Sequence, residues 1–124
     1  MTEQRTRNPN TSLHVAIIGY GLAGQVFHAP LVSSTPGMDV AAMVTTNPGR
    51  RQQAHRDYPG AAILDAPERI WDDEGKVDLV VVATHNTSHA PLATEAMRHG
   101  IPVVVDKPMA LSTEEAQALI VISA

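Results

Sequence analysis

Residues 13–24 have the sequence LHVAIIGYGLAG, in which an aliphatic run ends in a turn with three glycines. An amphipathic segment follows over residues 22–34. A strand, a G-x-G-x-x-G turn and a helix in this order are typical of a dinucleotide-binding fold. The motif alone is a weak signal, so a glycine-rich turn between two core elements is the alternative until the rest of the chain is considered.

Each glycine of the turn has its own predicted role. Gly19 permits the tight turn, Gly21 leaves no Cβ between the backbone and a pyrophosphate, and Gly24 allows close packing of helix on strand. The phosphates would lie at the helix N-terminus, where unpaired N–H groups and the helix macrodipole favour an anion. The predicted cofactor-binding residues of this turn are Gly19, Tyr20, Gly21, Leu22, Ala23 and Gly24.

The composition indicates one globular domain with an aliphatic core. Of the 124 residues, 44% are hydrophobic but only 3% are aromatic. The net charge of -4 and the lack of a basic stripe argue against nucleic acids and membrane surfaces as partners. The absence of cysteine excludes thiol catalysis, disulfides and thiolate metal sites, and fits a reducing compartment.

Residues 1–12 are polar and contain no apolar stretch, so we predict a disordered tail rather than a signal peptide. No later run reaches the length of a transmembrane helix. We predict that residues 13–124 form a single dinucleotide-binding domain and that the protein is cytoplasmic.

Four further aliphatic segments alternate with helical patterns. The predicted strands are residues 38–45, 61–64, 77–83 and 101–105. Helix-start signals lie between and after them, at Asn47 before Pro48, at residues 65–68, at the capping side chains Asn86-Thr87-Ser88, and at the capping-box pair Ser112 and Glu115.

This alternation predicts an α/β fold with a doubly wound parallel sheet, a Rossmann fold with strand order 3-2-1-4-5. In that order the first and fourth strands are neighbours, so the glycine turn would lie beside the loop after Ala83. A cleft would form there, at the carboxyl ends of the strands. This context favours dinucleotide binding over a purely structural turn.

The end of the second strand predicts which cofactor is bound. An acidic residue for the ribose 2′-hydroxyl is expected about 20 residues after the glycines. The sequence there has instead Thr45 and Thr46, followed by Arg50 and Arg51. Because an arginine can bind a 2′-phosphate through two parallel hydrogen bonds, we favour NADP over NAD as the cofactor. The alternative is that the two arginines form a solvated helix face.

Three landmarks give the sequence a family resemblance. They are VFHAPL (residues 26–31) after the glycine turn, ATHNTSH (residues 83–89) after the fourth strand, and Asp106-Lys107-Pro108 after the fifth. From Leu13 to the end, the chain resembles the glucose-fructose oxidoreductase, inositol dehydrogenase and rhizopine catabolism family, especially its branch with NADP-dependent scyllo-inositol dehydrogenases. The resemblance implies the cofactor domain of an enzyme that transfers a hydride between a nicotinamide and a sugar or polyol carbon.

The resemblance also implies site residues. The family uses the lysine at the position of Lys107 to polarise a carbonyl or relay a hydroxyl proton, and a partly buried amine there would hydrogen-bond the reacting oxygen. A surface lysine in a loop is the alternative. His85 stands where family members commonly carry a proline. Cofactor contacts are expected from both loops, at Ala83, Thr84, His85, Asn86, His89, Asp106, Lys107 and Pro108.

Three histidines could serve the site in different ways. His85 and His89 are four residues apart, as in a metal pair, but the sequence offers no convincing third ligand, so we predict no metal site. His89 is expected to line the cleft or to cap the helix. His28 could face the nicotinamide or pack under the loop, and the sequence favours neither.

Full family members continue with a sixth strand and a second α/β domain that supplies substrate contacts, and these 124 residues contain neither. We therefore expect a truncated cofactor half, which would bind a sugar or polyol only with that second domain. The alternative is a nucleotide-binding module without catalytic activity. An uncovered strand over residues 101–105 would leave an exposed sheet edge, from which we expect marginal stability or self-association.

Overall fold

The computed structural model describes residues 12–72 and 77–123. The predicted tail therefore lies outside the described residues, apart from Ser12. The strands are β1 (Leu13–Ile18), β2 (Met38–Val44), β3 (Ala62–Leu64), β4 (Leu79–Val82) and β5 (Val103–Val105). The helices are α1 (Ala29–Ser34), α2 (Pro48–Asp57), α3 (Glu68–Trp71), α4 (Asn86–Arg98) and α5 (Thr113–Ser123).

The five strands form one parallel sheet in the order β3-β2-β1-β4-β5, which confirms the predicted topology. Ile18, the last residue of β1, is in register with Val44 of β2 on one side and with Val82 of β4 on the other. The carboxyl ends of the three central strands therefore meet at one edge. The turn after β1 leaves the sheet between the ends of β2 and β4.

Side chains of β1 alternate between two hydrophobic clusters, one on each face of the sheet. Ala16 and Ile18 pack with α3 and α4, whereas Val15 and Ile17 pack with α1 and α2. All four side chains are buried. The sheet is covered on both faces, which is the doubly wound arrangement that the continuous aliphatic strands predict. Across the two described ranges, no helix is both long and apolar enough to cross a membrane.

The first helix departs from the predicted regular helix. A π-helical segment, Ala23–His28, comes before α1 and runs directly into it. Its wider turn is visible at the junction, where the N–H of Ala29 donates to the carbonyl of Gly24, five residues earlier. Because the hydrogen bonds of a π-helix span five residues and those of an α-helix span four, the segment shifts which side chains share a face.

Two of the predicted helix caps are confirmed. The Asn47 side chain accepts a hydrogen bond from the N–H of Arg50 at 3.0 Å and caps α2. The hydroxyl of Ser112 accepts from the N–H of Glu115 at 3.1 Å at the start of α5. In both cases a short polar side chain satisfies an N–H group of the first helical turn.

The predicted capping of α4 by Asn86-Thr87-Ser88 is wrong. These three residues lie inside the helix, and the capping position belongs to His85, which makes no side-chain capping bond. His85 has extended backbone angles, with φ -66° and ψ 151°, and helical geometry begins at the next residue. The three polar side chains therefore come too late in the chain to occupy the capping position.

Candidate functional site

The carboxyl ends of the central strands enclose an open cleft of about 660 Å³. It contains most of the residues that the sequence predicts for cofactor binding. The cleft is lined by Ile18, Gly19, Tyr20, Gly21, Leu22, Ala23, Val44, Thr45, Thr46, Arg50, Pro67, Ala83, Thr84, His85, Thr87, Ser88, Pro91, Leu92 and Asp106. The predicted residues outside this lining are Gly24, Arg51, Asn86, His89, Lys107 and Pro108.

Two glycines of the turn are required by close backbone approaches. Gly19 has a φ of +103°, and a Cβ there would lie 2.5 Å from the carbonyl oxygen of Ala83. A Cβ on Gly24 would overlap the carbonyl oxygen of Gly19. Gly24 is buried beneath the turn, so it has the helix-packing role that the motif predicts rather than a place in the cleft.

Tyr20 is among the residues that line the cleft, but its side chain is buried on the α2 side of the sheet. The phenol donates a 2.5 Å hydrogen bond to Oδ2 of Asp57, and the ring packs edge-on against Tyr58. Burial, followed by the hydrogen bond to Asp57, raises the pKa of Tyr20. The same hydrogen bond, with a second one from Gln53, lowers the pKa of Asp57. Tyr20 thus fixes the turn to the end of α2.

The β2 end of the cleft has hydroxyl groups and one guanidinium. Thr45 and Thr46 follow β2 directly, and Arg50 lies in the first turn of α2. The guanidinium reaches across to the glycine turn, with Nη1 3.6 Å from the position of a Cβ on Gly21. Arg51, its neighbour, does not reach the cleft. Of the described residues lining this end, none is acidic, so the cleft here favours an anion.

The opposite end of the cleft is formed by the loop after β4 and one face of α4. Ala83, Thr84 and His85 line it as predicted. Sequence reasoning missed the next contributors, Thr87, Ser88, Pro91 and Leu92. Their spacing from Thr84 is three, four, seven and eight residues, which is the repeat of one helix face. That periodicity was the available signal, but we assigned the first two of these residues, Thr87 and Ser88, to capping.

His89 neither lines the cleft nor caps α4, contrary to both expectations. The residue is 1% exposed and lies beneath the site. Nδ1 is 2.7 Å from the carbonyl oxygen of Pro108, and Nε2 is 3.0 Å from the carbonyl oxygen of Thr84. Its ring therefore bridges the loop after β4 and the turn after β5.

The turn after β5 brings Asp106, rather than Lys107, into the cleft lining. Oδ1 of Asp106 is 2.5 Å from Nε2 of His28, so His28 packs against this turn. Lys107 is exposed, and the expected partial burial of its side chain is wrong. The physical reason is the position of β5: it is the last strand of the described sheet, so no further strand flanks the turn on its outer side.

Together these groups suit an elongated anionic ligand. The glycine turn, two threonine hydroxyls and Arg50 surround one end, and the Asp106 carboxylate lies at the other end. Gly21 lies between them in the lining, and the three atoms nearest to its Cβ position belong to the Arg50 guanidinium, at 3.6 to 3.8 Å. A phosphate-bearing ligand could therefore approach the backbone at the centre of the cleft.

Comparisons with known proteins agree with this geometry. Residues 13–124 match the sequence model described as the oxidoreductase family with an NAD-binding Rossmann fold. The uncharacterized oxidoreductase YdgJ of Escherichia coli is 35% identical over 108 residues, which are 87% of this chain and 30% of YdgJ. The scyllo-inositol 2-dehydrogenase (NADP(+)) IolW of Bacillus subtilis is 31% identical over 119 residues, which are 96% of this chain and 32% of IolW.

A solved structure gives the same result. GenD2 from gentamicin A biosynthesis, determined in complex with NAD, superposes with a TM-score of 0.84 at 28% identity, covering 99% of this chain and 34% of GenD2. The chain thus spans about a third of the length of these relatives. The match over nearly the whole chain confirms the resemblance seen in the sequence. The chain belongs to the oxidoreductase family with an NAD-binding Rossmann fold.

Proposed function

We propose that the cleft binds NADP, with NAD as the alternative, and that the chain supplies the cofactor domain of an oxidoreductase acting on a sugar or polyol. The observation that carries the proposal is the glycine turn, which opens into the cleft between the ends of β2 and β4 with the Arg50 guanidinium beside Gly21. A volume of about 660 Å³ fits a bound cofactor. When bound, the nicotinamide accepts or donates the hydride.

The preference for NADP rests on the β2 end of the cleft. Arg50 offers a planar pair of donors to a 2′-phosphate, and Thr45 and Thr46 add hydroxyls. An acidic residue that would repel that phosphate is not among the described lining residues at this end. The names of the relatives include both cofactors, NADP for IolW and NAD for GenD2, so Arg50 is the feature of this chain that supports the choice.

For the chemical step, we propose Lys107 as the residue that hydrogen-bonds the reacting oxygen and relays its proton. It follows β5 on the side of the cleft remote from Arg50, next to Asp106. Its exposed amine would be available to a substrate brought in by a second domain. The substrate class, a sugar or polyol hydroxyl or the matching carbonyl, rests on the family alone.

Calorimetric titration of NADPH and NADH into the chain tests the cofactor proposal, with the Lys107→Ala variant titrated in parallel. We expect both cofactors to bind, NADPH more tightly, and the variant to keep the preference for NADPH. If neither cofactor binds, the cleft is not a nicotinamide site. If NADH binds more tightly, the assignment of Arg50 to the 2′-phosphate is wrong.

The absence of Lys107 from the described residues that line the cleft favours a second candidate function, a nucleotide-binding module without catalytic activity. One assay distinguishes the two functions. A polyol such as scyllo-inositol is mixed with NADP and this chain, and the absorbance of NADPH is followed. We expect no change from the chain alone. Polyol-dependent formation of NADPH would contradict the need for a second domain.

We also propose that the outer edge of β5 mediates self-association. Val104 on this strand is 45% exposed, and Val121 on the neighbouring α5 is 75% exposed. An exposed aliphatic edge strand can pair with a second copy. Light scattering after gel filtration should detect dimers or larger species that a Val104→Lys variant reduces, whereas a stable monomer would contradict the proposal. The cytoplasmic location stays a prediction from composition.

A further inference from the structure

We infer that His28 and His89 are positioning residues that hold the turn of Asp106, Lys107 and Pro108 at the nicotinamide end of the cleft. The inference rests on the proposed cofactor-binding function. In this inference, His28 holds the residue before Lys107 and His89 holds the residue after it. Neither histidine lines the cleft, so they act through the turn rather than on the ligand.

His28 holds the side chain that precedes Lys107. Its Nε2 lies 2.5 Å from Oδ1 of Asp106, and both side chains are largely shielded, with 22% and 26% of their surfaces exposed. An ionised carboxylate only accepts hydrogen bonds, so Nε2 of His28 is the donor. The N–H of Asp106 donates in turn to the carbonyl of Val82 at 3.1 Å. Asp106 is thus fixed both through its backbone and through its carboxylate.

The π-helical segment brings His28 to this position. His28 is its last residue, and Asp106 is the first residue after β5, 78 positions later in the chain. Single π-helical turns occur frequently at functional sites. Here the pair joins the helix after the glycine turn to the turn after β5. The phosphate-binding and nicotinamide ends of the proposed site are thereby linked through one hydrogen bond.

His89 holds the residue that follows Lys107. Its buried ring lies between two carbonyl oxygens, that of Pro108 at 2.7 Å from Nδ1 and that of Thr84 at 3.0 Å from Nε2. Carbonyl oxygens only accept hydrogen bonds, so the neutral ring donates to one of them and the imidazolium donates to both. In either form the ring fills the space between the two loops. A smaller residue would leave both loops unsupported.

Lys107 is therefore fixed at its two neighbours although its own side chain is exposed. The strand order places β2 on one side of β1 and places β4 and β5 on the other. In a dinucleotide bound across this switch point, the adenosine lies toward β2, so the nicotinamide lies toward the held turn. Fixing a turn before the ligand arrives lowers the entropy lost on binding.

The first test compares binding of NADPH with binding of adenosine 2′,5′-bisphosphate, which lacks the nicotinamide half. For His28→Ala we expect the affinity for NADPH to fall about tenfold, the size of one charge-assisted hydrogen bond, with the affinity for the bisphosphate unchanged. His28→Gln, whose amide can donate near the position of Nε2, should recover most of the loss. The exposed His55 on α2 provides the matched control, and His55→Ala should bind both ligands normally.

The second test reports on Lys107 directly, because the sequence has only two lysines, Lys76 and Lys107. Acetylation of Lys107 by acetic anhydride is measured relative to Lys76 at saturating NADPH. Bound NADPH should protect Lys107 in the native chain and in His28→Gln, but not in His28→Ala. His89→Phe, which keeps a ring in the buried space but has no hydrogen-bonding nitrogen, should remain folded by circular dichroism and also lose protection.

These outcomes separate the two proposals. If the native chain binds neither NADPH nor the bisphosphate, the proposed function fails. If the native chain binds NADPH and protects Lys107, but His28→Ala retains full affinity and full protection, the positioning role of His28 is refuted. Full protection in a folded His89→Phe variant would refute the role of His89 in the same way.

Discussion

The guanidinium of Arg50 lies beside the backbone of Gly21, with Nη1 3.6 Å from the point that a Cβ on this glycine would occupy. One residue comes from the turn after β1 and the other from the first turn of α2. This approach places a permanent positive charge next to the part of the motif that leaves room for a pyrophosphate. Among the described residues that line the cleft, Arg50 is the only arginine or lysine, and its exposed side chain can be replaced without disturbing the core.

Replacing Arg50 by alanine should weaken NADPH binding about 10- to 100-fold, the range of a hydrogen bond to a charged group. Binding of NADH, which lacks the 2′-phosphate, should change much less. Arg51→Ala removes the same charge one residue further along α2, outside the cleft, and should leave both affinities near the native values. Calorimetric titration measures all four affinities, and equal losses for the two variants would indicate a general charge effect instead.

Gly24→Ala should destabilise the fold by about 1–3 kcal/mol or more, the cost of forcing extra atoms into packed structure. The added methyl group would overlap the carbonyl oxygen of Gly19, which is held by a backbone hydrogen bond from its own N–H to Val44. Gly60 is the matched control, since a Cβ there would meet no atom within 4 Å. Urea denaturation of both variants gives the difference in unfolding free energy.

Tyr20→Phe should lower the free energy of unfolding at neutral pH. It should also make this free energy decrease less as the solution becomes acidic. The hydrogen bond from Tyr20 lowers the pKa of Asp57 below its usual 3.8, so its contribution is present above that pH and disappears as Asp57 becomes protonated. The native chain and the variant should therefore have different urea midpoints at neutral pH and similar ones below the folded pKa. Tyr58→Phe, which alters the neighbouring tyrosine, should preserve the acid dependence.

The pair of His14 and Asp39 should make stability fall on the alkaline side. Hydrogen bonding to Asp39 raises the pKa of His14 above its usual 6.5, partly offset by desolvation. Its contribution is therefore complete below pH 6.5 and disappears as the pH rises through the folded pKa. Both side chains are nearly half exposed, which limits the effect to about 0.2–1 kcal/mol. Melting temperatures across this range should fall less steeply in Asp39→Asn.

Much of the fold was predictable because its strands are buried on both faces. The aliphatic runs and the short connections were sufficient for the strand order, and local polar residues identified the caps at Asn47 and Ser112. Strand ends were less predictable: β4 covers Leu79–Val82 rather than residues 77–83. Backbone pairing with β1 and β5 determines where the strand begins and ends, and hydrophobicity along the sequence does not contain that information.

The site was predictable where a motif acts through its own backbone, as at Gly19 and Gly24. The site was less predictable where the position of a side chain depends on a contact with a residue distant in the sequence. His89 was expected at the cleft. Its ring instead lies beneath the site, where it is hydrogen-bonded to the carbonyl of Pro108, 19 residues away. Lys107 was expected to be partly buried, but its turn follows an edge strand. The spacing of residues along the sequence does not indicate which residues become neighbours in the folded chain.

The position of β1 at the centre of the sheet also governs how the chain acquires its fold during synthesis. The strand pairs on one side with β2, which follows it closely, and on the other with β4, so that Val15 is in register with Leu79. A nascent chain synthesised as far as β3 can form only the β3-β2-β1 half of the sheet. The second edge of β1 stays unpaired until β4 leaves the ribosome. Until that moment β1, the central strand of the finished sheet, has an open aliphatic edge, and we expect chaperone binding to be strongest in this interval.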